Sequence, residues 1–189
     1  NDIQAELAER SLYEFVKISW SILHPQDQFT DGYHIQAICE HLTALVEGEI
    51  RKLIINIAPR HTKSMICSVD LPAWTWIRYP SFRWVYSGYN IALSTEHSVW
   101  CRRIIESQWY RSNWGNRYWL TSDQNQKSSF ENSSQGARSS FGMAGITGRG
   151  GDFNVMDDPH SREDWKNPEQ LKKACEKYDV AIYPAVNNP

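Results

Sequence analysis

The sequence predicts an α/β fold with helices packed around a mostly parallel central sheet. Three observations carry this. Lys52–Ile57 is a short, nearly continuous apolar run, and Phe82–Ser87 and Asp152–Met156 are similar; buried parallel strands read this way. Amphipathic stretches with a 3.6-residue period precede or separate these runs. Strands alternating with helices then argue for layered α/β architecture over an all-α or all-β one.

In chain order, Leu12, Phe15, Val16, Ser19, Trp20 and Leu23 share one helical face, with Ser11 as N-cap and Pro25 as the stop. A second helix spans about Ile35 to Glu47, with Ile35, Ile38, Cys39, Leu42, Leu45 and Val46 on one side and Gly48 ending it. The Lys52–Ile57 strand follows, then the loop Ala58-Pro59-Arg60-His61-Thr62 and a helix opening at Lys63-Ser64. Pro72 is expected to kink or end that helix. After the Phe82–Ser87 strand, Ala92–Ser107 reads as a helix. Ser128–Ser134 and Ala137–Phe141 read as a hairpin around Gln135-Gly136. Gly142–Gly151 is a glycine-rich loop, Asp152–Met156 a buried strand ending in Asp157-Asp158-Pro159-His160, and Asn167–Lys177 a charged helix.

Length and composition bound the rest. A chain of 189 residues is sized for one domain, so residues 1–189 are read as a single unit of function. Net charge is −2, from 20 basic and 22 acidic side chains, so any polyanion contact must use local patches. Nine tryptophans sit mostly in apolar-periodic stretches and read as core. Cys39, Cys67, Cys101 and Cys175 are far apart, which excludes a zinc ribbon or a CxxC redox pair. The sequence has no signal peptide and no bilayer-length apolar run, so a reduced cytoplasmic compartment and no membrane partner are the default expectation.

Two constellations carry chemistry. A strand feeding a loop that ends in Lys-Ser at a helix start is a phosphate cradle, since backbone amides and the helix dipole stabilise negative charge there. Lys63 would reach the β- and γ-phosphates of ATP, and the Ser64 hydroxyl would ligate Mg²⁺. The strict phosphate-loop pattern has glycines where this chain has Ile57 and Thr62, so only Lys-Ser survives, and an ordinary strand-to-helix turn is the competing reading. Downstream, an apolar strand ends in two carboxylates. Asp157 would hold Mg²⁺ and Asp158 would polarise the attacking water. Asp-Asp-Pro is also good turn chemistry, but two matching halves in order favour the nucleotide reading. Gln36, following Tyr33-His34, offers an amide donor and acceptor to an adenine edge. Arg60, inside the loop, and Arg149, in the glycine-rich segment, are candidate cations for the transferred phosphoryl group. A solvent-facing arginine is the competing reading for each, and for Arg149 the stronger one.

Together these segments resemble the N-terminal ATPase domain of the large terminase subunit of tailed double-stranded DNA bacteriophages. The carrying residues are Tyr33-His34-Ile35-Gln36, Leu53–Ser64, Arg83–Tyr89, Gly145–Asp152 and Val155–Pro159, which cover nearly the whole chain in order. The resemblance implies a P-loop NTPase of the helicase-like (ASCE) kind, a three-layer sandwich with an extended parallel sheet. It implies an Mg²⁺-dependent ATPase that drives double-stranded DNA into a procapsid in the host cell cytoplasm. The implied partners are the portal protein, the small terminase subunit and further copies of the chain in a homo-oligomeric ring, with a monomer expected in isolation. It places Pro59, Arg60, His61, Thr62, Lys63 and Ser64 around the phosphates, with Arg60 as a sensor in cis and Arg149 where a finger acting in trans is expected.

Two departures stand out. The family usually has glycine at Thr62, and a β-branched residue takes positive φ only at a cost, so a strained loop or loose nucleotide binding is expected. The sequence ends at Asn187-Asn188-Pro189, before the coupling motif and nuclease domain of the family, so DNA cutting is expected only of a full-length parent. The rival functions are a helicase-like DNA-remodelling ATPase, and a nucleotide-binding assembly module with little turnover.

Overall fold

A computed structural model describes residues 2–122, 126–142, 145, 150–159 and 166–179. The chain falls into two compact units, one made of Asn1–Pro80 and Trp100–Trp119, the other of Ser81–Val99 and Leu120–Pro189.

The first unit is helical. Helices α1 (Asp2–Arg10) and α2 (Leu12–Leu23) meet at Ser11, whose hydroxyl accepts from the Glu14 amide at 3.3 Å and caps α2 as expected of a serine at this position. The apolar stripe of α2 buries Leu12, Phe15, Val16 and Ser19. Each of the three large apolar chains is worth about 1.5–3 kcal/mol in burial. Helix α3 (Tyr33–Val46) buries Ile35, Ile38, Cys39, Leu42 and Val46, and Gly48, at φ 78, follows its end. A continuous helical run then comprises α4 (Lys63–Met65), a wider π-helical turn (Ile66–Asp70) and α5 (Leu71–Arg78).

Helix α6 (Ile91–Glu106) and α7 (Gln108–Trp114, capped by Ser107) complete the helices up to residue 119. Phe15 packs within 5.8–6.4 Å of Trp109, Tyr110 and Trp114. Several polar tips inside this core are satisfied: Trp74 Nε1 donates to the Ala8 carbonyl, Tyr110 Oη to the Ala73 carbonyl, and Trp114 Nε1 with Arg117 to Glu9.

The second unit holds a four-stranded sheet in the order β2-β3-β1-β4. Strand β1 (Arg83–Gly88) pairs in parallel with both β3 (Ala137–Gly142) and β4 (Phe153–Asp157). Strand β2 (Ser129–Glu131) is antiparallel to β3. Their hairpin turns through Gln135 at φ 68, with Asn132 Oδ1 accepting from the amides of Ser134 and Gly136. Trp84 stacks on Phe153 at 4.4 Å. Helix α8 (Pro168–Lys177) is the last described element. The class is therefore mixed α/β with a mostly parallel sheet.

One local expectation is corrected and another is narrowed. Among the described residues, 52–57 join no ladder; their burial alternates residue by residue, as in extended chain, and Ile54 is 92% exposed. An apolar run supplies strand propensity, but a strand also needs a hydrogen-bonding neighbour. Pro72 does not end its helix. It lies inside the continuous run, immediately after a π turn in which the Leu71 amide reaches back to the Ile66 carbonyl, so the helix is already widened where Pro72 has no N–H to give.

Candidate functional site

The loop before α4 is built from left-handed residues that are not glycine. Arg60 has φ 66 and Thr62 has φ 63. Thr62 is the N-cap of α4, and its carbonyl accepts the Ile66 amide at 3.0 Å. The strain expected from threonine at a glycine position is thus present, at a cost on the order of 1–2 kcal/mol. Pro59, Arg60 and His61 are exposed, while Thr62, Lys63 and Ser64 are half-buried. The first amides of a helix have no intrahelical partner, so those of Lys63 and Ser64 are the ones an anion at this turn would meet. His61 Nδ1 lies 3.1 and 3.0 Å from the carbonyls of Ala58 and Pro59, to which an Nδ1–H tautomer donates.

Thr62→Gly is a direct test of that strain. Glycine adopts positive φ freely but loses more entropy on folding, so stability should stay level or rise by up to about 1 kcal/mol. ATP affinity should hold or tighten. A clear loss of either, by thermal melting or nucleotide titration, would show that the threonine side chain itself is used.

The start of α3 lies against this loop. The rings of His34 and His61 meet edge to face, with centroids 5.5 Å apart. Gln36 does not accompany His34. Its amide donates to Glu40 at 2.9 Å along the helix, and it lines a cavity of about 330 Å³ with Arg10, Tyr13, Cys39 and Glu40. At the edge of that region Tyr13 Oη donates to Asp31, which holds the Asp31 carboxyl below its ordinary range and pushes Tyr13 up to about 12.

The acidic pair ends β4. Asp157 is the last laddered residue, opposite Gly88 of β1, and is half-buried. Gly88 is required for this close approach, since a Cβ there would sit 2.6 Å from the Asp157 carbonyl oxygen. Asp158 is exposed, at φ 44, and its carbonyl accepts the Tyr89 amide at 3.1 Å. A left-handed aspartate at a strand end is uncommon, and such outliers gather at functional sites.

Beneath the sheet ends, a buried polar layer was not legible from sequence. Arg138 is 0% exposed, lies 4.2 Å over the Tyr86 ring and donates to Ser140 Oγ, which in turn donates to the Ser94 carbonyl. His97 is buried in α6. Burial pushes its pKa down and Arg138 adds to that, against the opposing pull of Asp157.

The structure thus sets His61, Thr62, Lys63 and Ser64 at one strained turn, with His34 beside it, and Asp157 and Asp158 at one strand end. Arg149 lies outside the described residues. Each place carries a hard oxygen donor of the kind Mg²⁺ takes, the Ser64 hydroxyl at the turn in the first unit and the Asp157 carboxylate at the strand end in the second. Comparison with protein-family models gives no match, and comparison with curated proteins gives none.

Proposed function

We propose that this chain is the ATPase domain of a viral DNA-packaging motor of the large-terminase kind, hydrolysing ATP to move double-stranded DNA into a procapsid. The observation that carries the reading is Thr62 at φ 63 directly before Lys63-Ser64, where a helical run begins. A threonine held in the left-handed region costs energy that a plain connecting turn has no use for. A parallel strand ending in two carboxylates, the second at φ 44, supports the same reading independently.

In this reading Lys63 and the loop amides hold the β- and γ-phosphates. Ser64 and Asp157 hold Mg²⁺, which when bound neutralises charge on the phosphates. Asp158 orients and activates the attacking water. Arg60 stabilises charge on the transferred group in cis, and Arg149, carried over from the family likeness, does so from a neighbouring copy. Double-stranded DNA, the portal protein, the small terminase subunit and further copies of the chain are the partners, at the procapsid in the host cytoplasm. Among the described residues no helix is long and apolar enough to cross a membrane.

The test is phosphate release from ATP with Mg²⁺, with and without double-stranded DNA. Release above background, stimulated by DNA and lowered at least about a hundredfold by Lys63→Ala, is the expected result. A Lys63→Ala protein that turns over ATP at the parent rate would remove the phosphate-loop assignment. Strain at Arg60 and Thr62 favours one rival, a nucleotide-binding assembly module, because a cost on the order of 1–3 kcal/mol each can weaken a productive geometry. That rival binds ATP and releases no phosphate.

A further inference from the structure

Two strained residues, Arg60 and Thr62, flank His61. Left to itself, a loop carrying that cost relaxes, so something must hold it. Part of the answer lies in His61, whose Nδ1 is within 3.1 Å of both the Ala58 and Pro59 carbonyls and closes the loop on itself. The other part lies in α3. His34 presents its ring to His61 at 5.5 Å and 70°, a favoured edge-to-face geometry.

His34 is fixed in its turn. Its ring folds over Gly32, the N-cap of α3, where a Cβ would come 2.7 Å from the ring Cε1 and 2.8 Å from Nδ1. The backbone at Gly32 is extended, with φ −168, so glycine is needed there for the ring and not for its own conformation. Tyr33, 90% exposed, meets the same ring edge to face at 6.0 Å. Helix α3 is anchored by buried Ile35, Ile38 and Leu42. A continuous path therefore runs from a rigid helix through Gly32, His34 and His61 to the loop carbonyls.

We infer that His34 is a positioning residue: through its ring contact with His61 it holds the 58–64 loop, with Arg60 and Thr62 left-handed, in the conformation that presents the Lys63 and Ser64 amides to a nucleotide. The inference rests on the reading of that loop as a phosphate loop. A loop held in its bound shape before the ligand arrives loses less entropy on binding, which strengthens affinity without any contact from His34 to the ligand. Because His34 reaches no reacting atom, its loss should act on binding and leave the chemical step alone.

The experiment combines amide hydrogen exchange on the ligand-free protein with ATP titration and turnover. His34→Ala removes the ring. Gly32→Ala keeps the ring but displaces it, in a backbone conformation alanine accepts. His34→Phe keeps an edge-to-face ring. Exchange of the Ile66 amide, which the Thr62 carbonyl of the loop protects, should rise about two- to tenfold in the first two variants, the range an aromatic pair is worth, and return to the parent level in His34→Phe. The Kd for ATP should weaken by the same factor, again rescued by phenylalanine, while kcat at saturating ATP stays within about twofold of the parent.

Parent-like exchange of the Ile66 amide in His34→Ala overturns the inference, whatever the protein does with ATP. Defects in His34→Phe as large as those in His34→Ala overturn it too, since the ring contact would not be the cause. Failure of the nucleotide reading looks different: the parent and every variant give a flat ATP titration, and no loop-dependent affinity exists to be positioned.

Discussion

Asp158→Asn is expected to bind ATP as the parent does and to lose hydrolysis by about two to four orders of magnitude, the range attributed to a positioned general base. The substitution is unusually clean here. Asp158 sits at φ 44, and asparagine tolerates the left-handed region at least as well as aspartate. The bond that fixes this backbone is the Tyr89 amide to the Asp158 carbonyl, which does not involve the side chain. Asp158 is exposed, so the charge is removed at the surface and not from the core. Asp157→Asn should fail in another way. Its carboxylate is proposed to hold Mg²⁺, so Mg²⁺-dependent nucleotide binding should weaken first. Equilibrium binding with and without Mg²⁺, run beside phosphate release, separates the two. Equal binding defects in both variants would break the division of roles, and near-parent turnover in Asp158→Asn would remove it from the chemistry.

What was legible in the sequence was the chemistry that acts locally. Ser11 capping α2 and Gly48 following α3 each depend on a few adjacent residues and form as expected; the hairpin also forms, but its first strand stops at Glu131 and the turn takes in Ser133 and Ser134 ahead of Gln135. The parallel strands β1 and β4 were legible because an apolar run of that length, bounded by turn residues, has few other uses. Residues 52–57 have the same appearance and form no ladder among the described residues: an apolar run shows strand propensity, but not whether a neighbouring strand is there to pair with it. The strain at Thr62 was foreseeable from a β-branched residue standing where a phosphate loop has glycine. The matching strain at Arg60 and Asp158 was not, since nothing in either residue type demands it. Arg138 would read as solvent-facing in any strand, and only the fold shows it covered and lying over Tyr86. His34 was visible as part of Tyr33-His34-x-Gln36, but its contact with His61 joins segments separated by an entire helix.

The helical run that begins at Lys63 also carries a buried acid, and this gives the largest expected effect on stability. Asp70 lies in the π turn, 2% exposed, and burial pushes its carboxyl from an ordinary 3.8 to about 8, with the Ser19 hydroxyl bond pulling the other way. The hydrogen bonds agree with a neutral acid. Ser19 has one proton and two acceptors in reach, the Val16 carbonyl at 3.0 Å and Asp70 Oδ1 at 2.6 Å. A protonated Asp70 resolves this by donating to Ser19 Oγ, which leaves the serine proton for Val16.

The sign follows from the raised value. Below the unfolded pKa both states are protonated and Asp70 costs nothing. As pH rises through 3.8 the unfolded chain ionises while the folded one stays neutral, so stability falls until the folded group also ionises near 8. The loss is about 4 kcal/mol by pH 7. His97, whose pKa is lowered by burial, works in the opposite direction in acid, so the parent curve alone does not isolate Asp70. Asp70→Asn does, because the carboxamide can donate to Ser19 and carries no charge. Denaturant melts of parent and variant should coincide near pH 4 and diverge steadily above it, with the variant more stable by several kcal/mol at pH 8. Parallel curves across that range would mean Asp70 is ionised in the folded protein and balanced by a cation. A variant less stable at every pH would mean that the carboxyl proton, and not merely its neutrality, is what the turn requires.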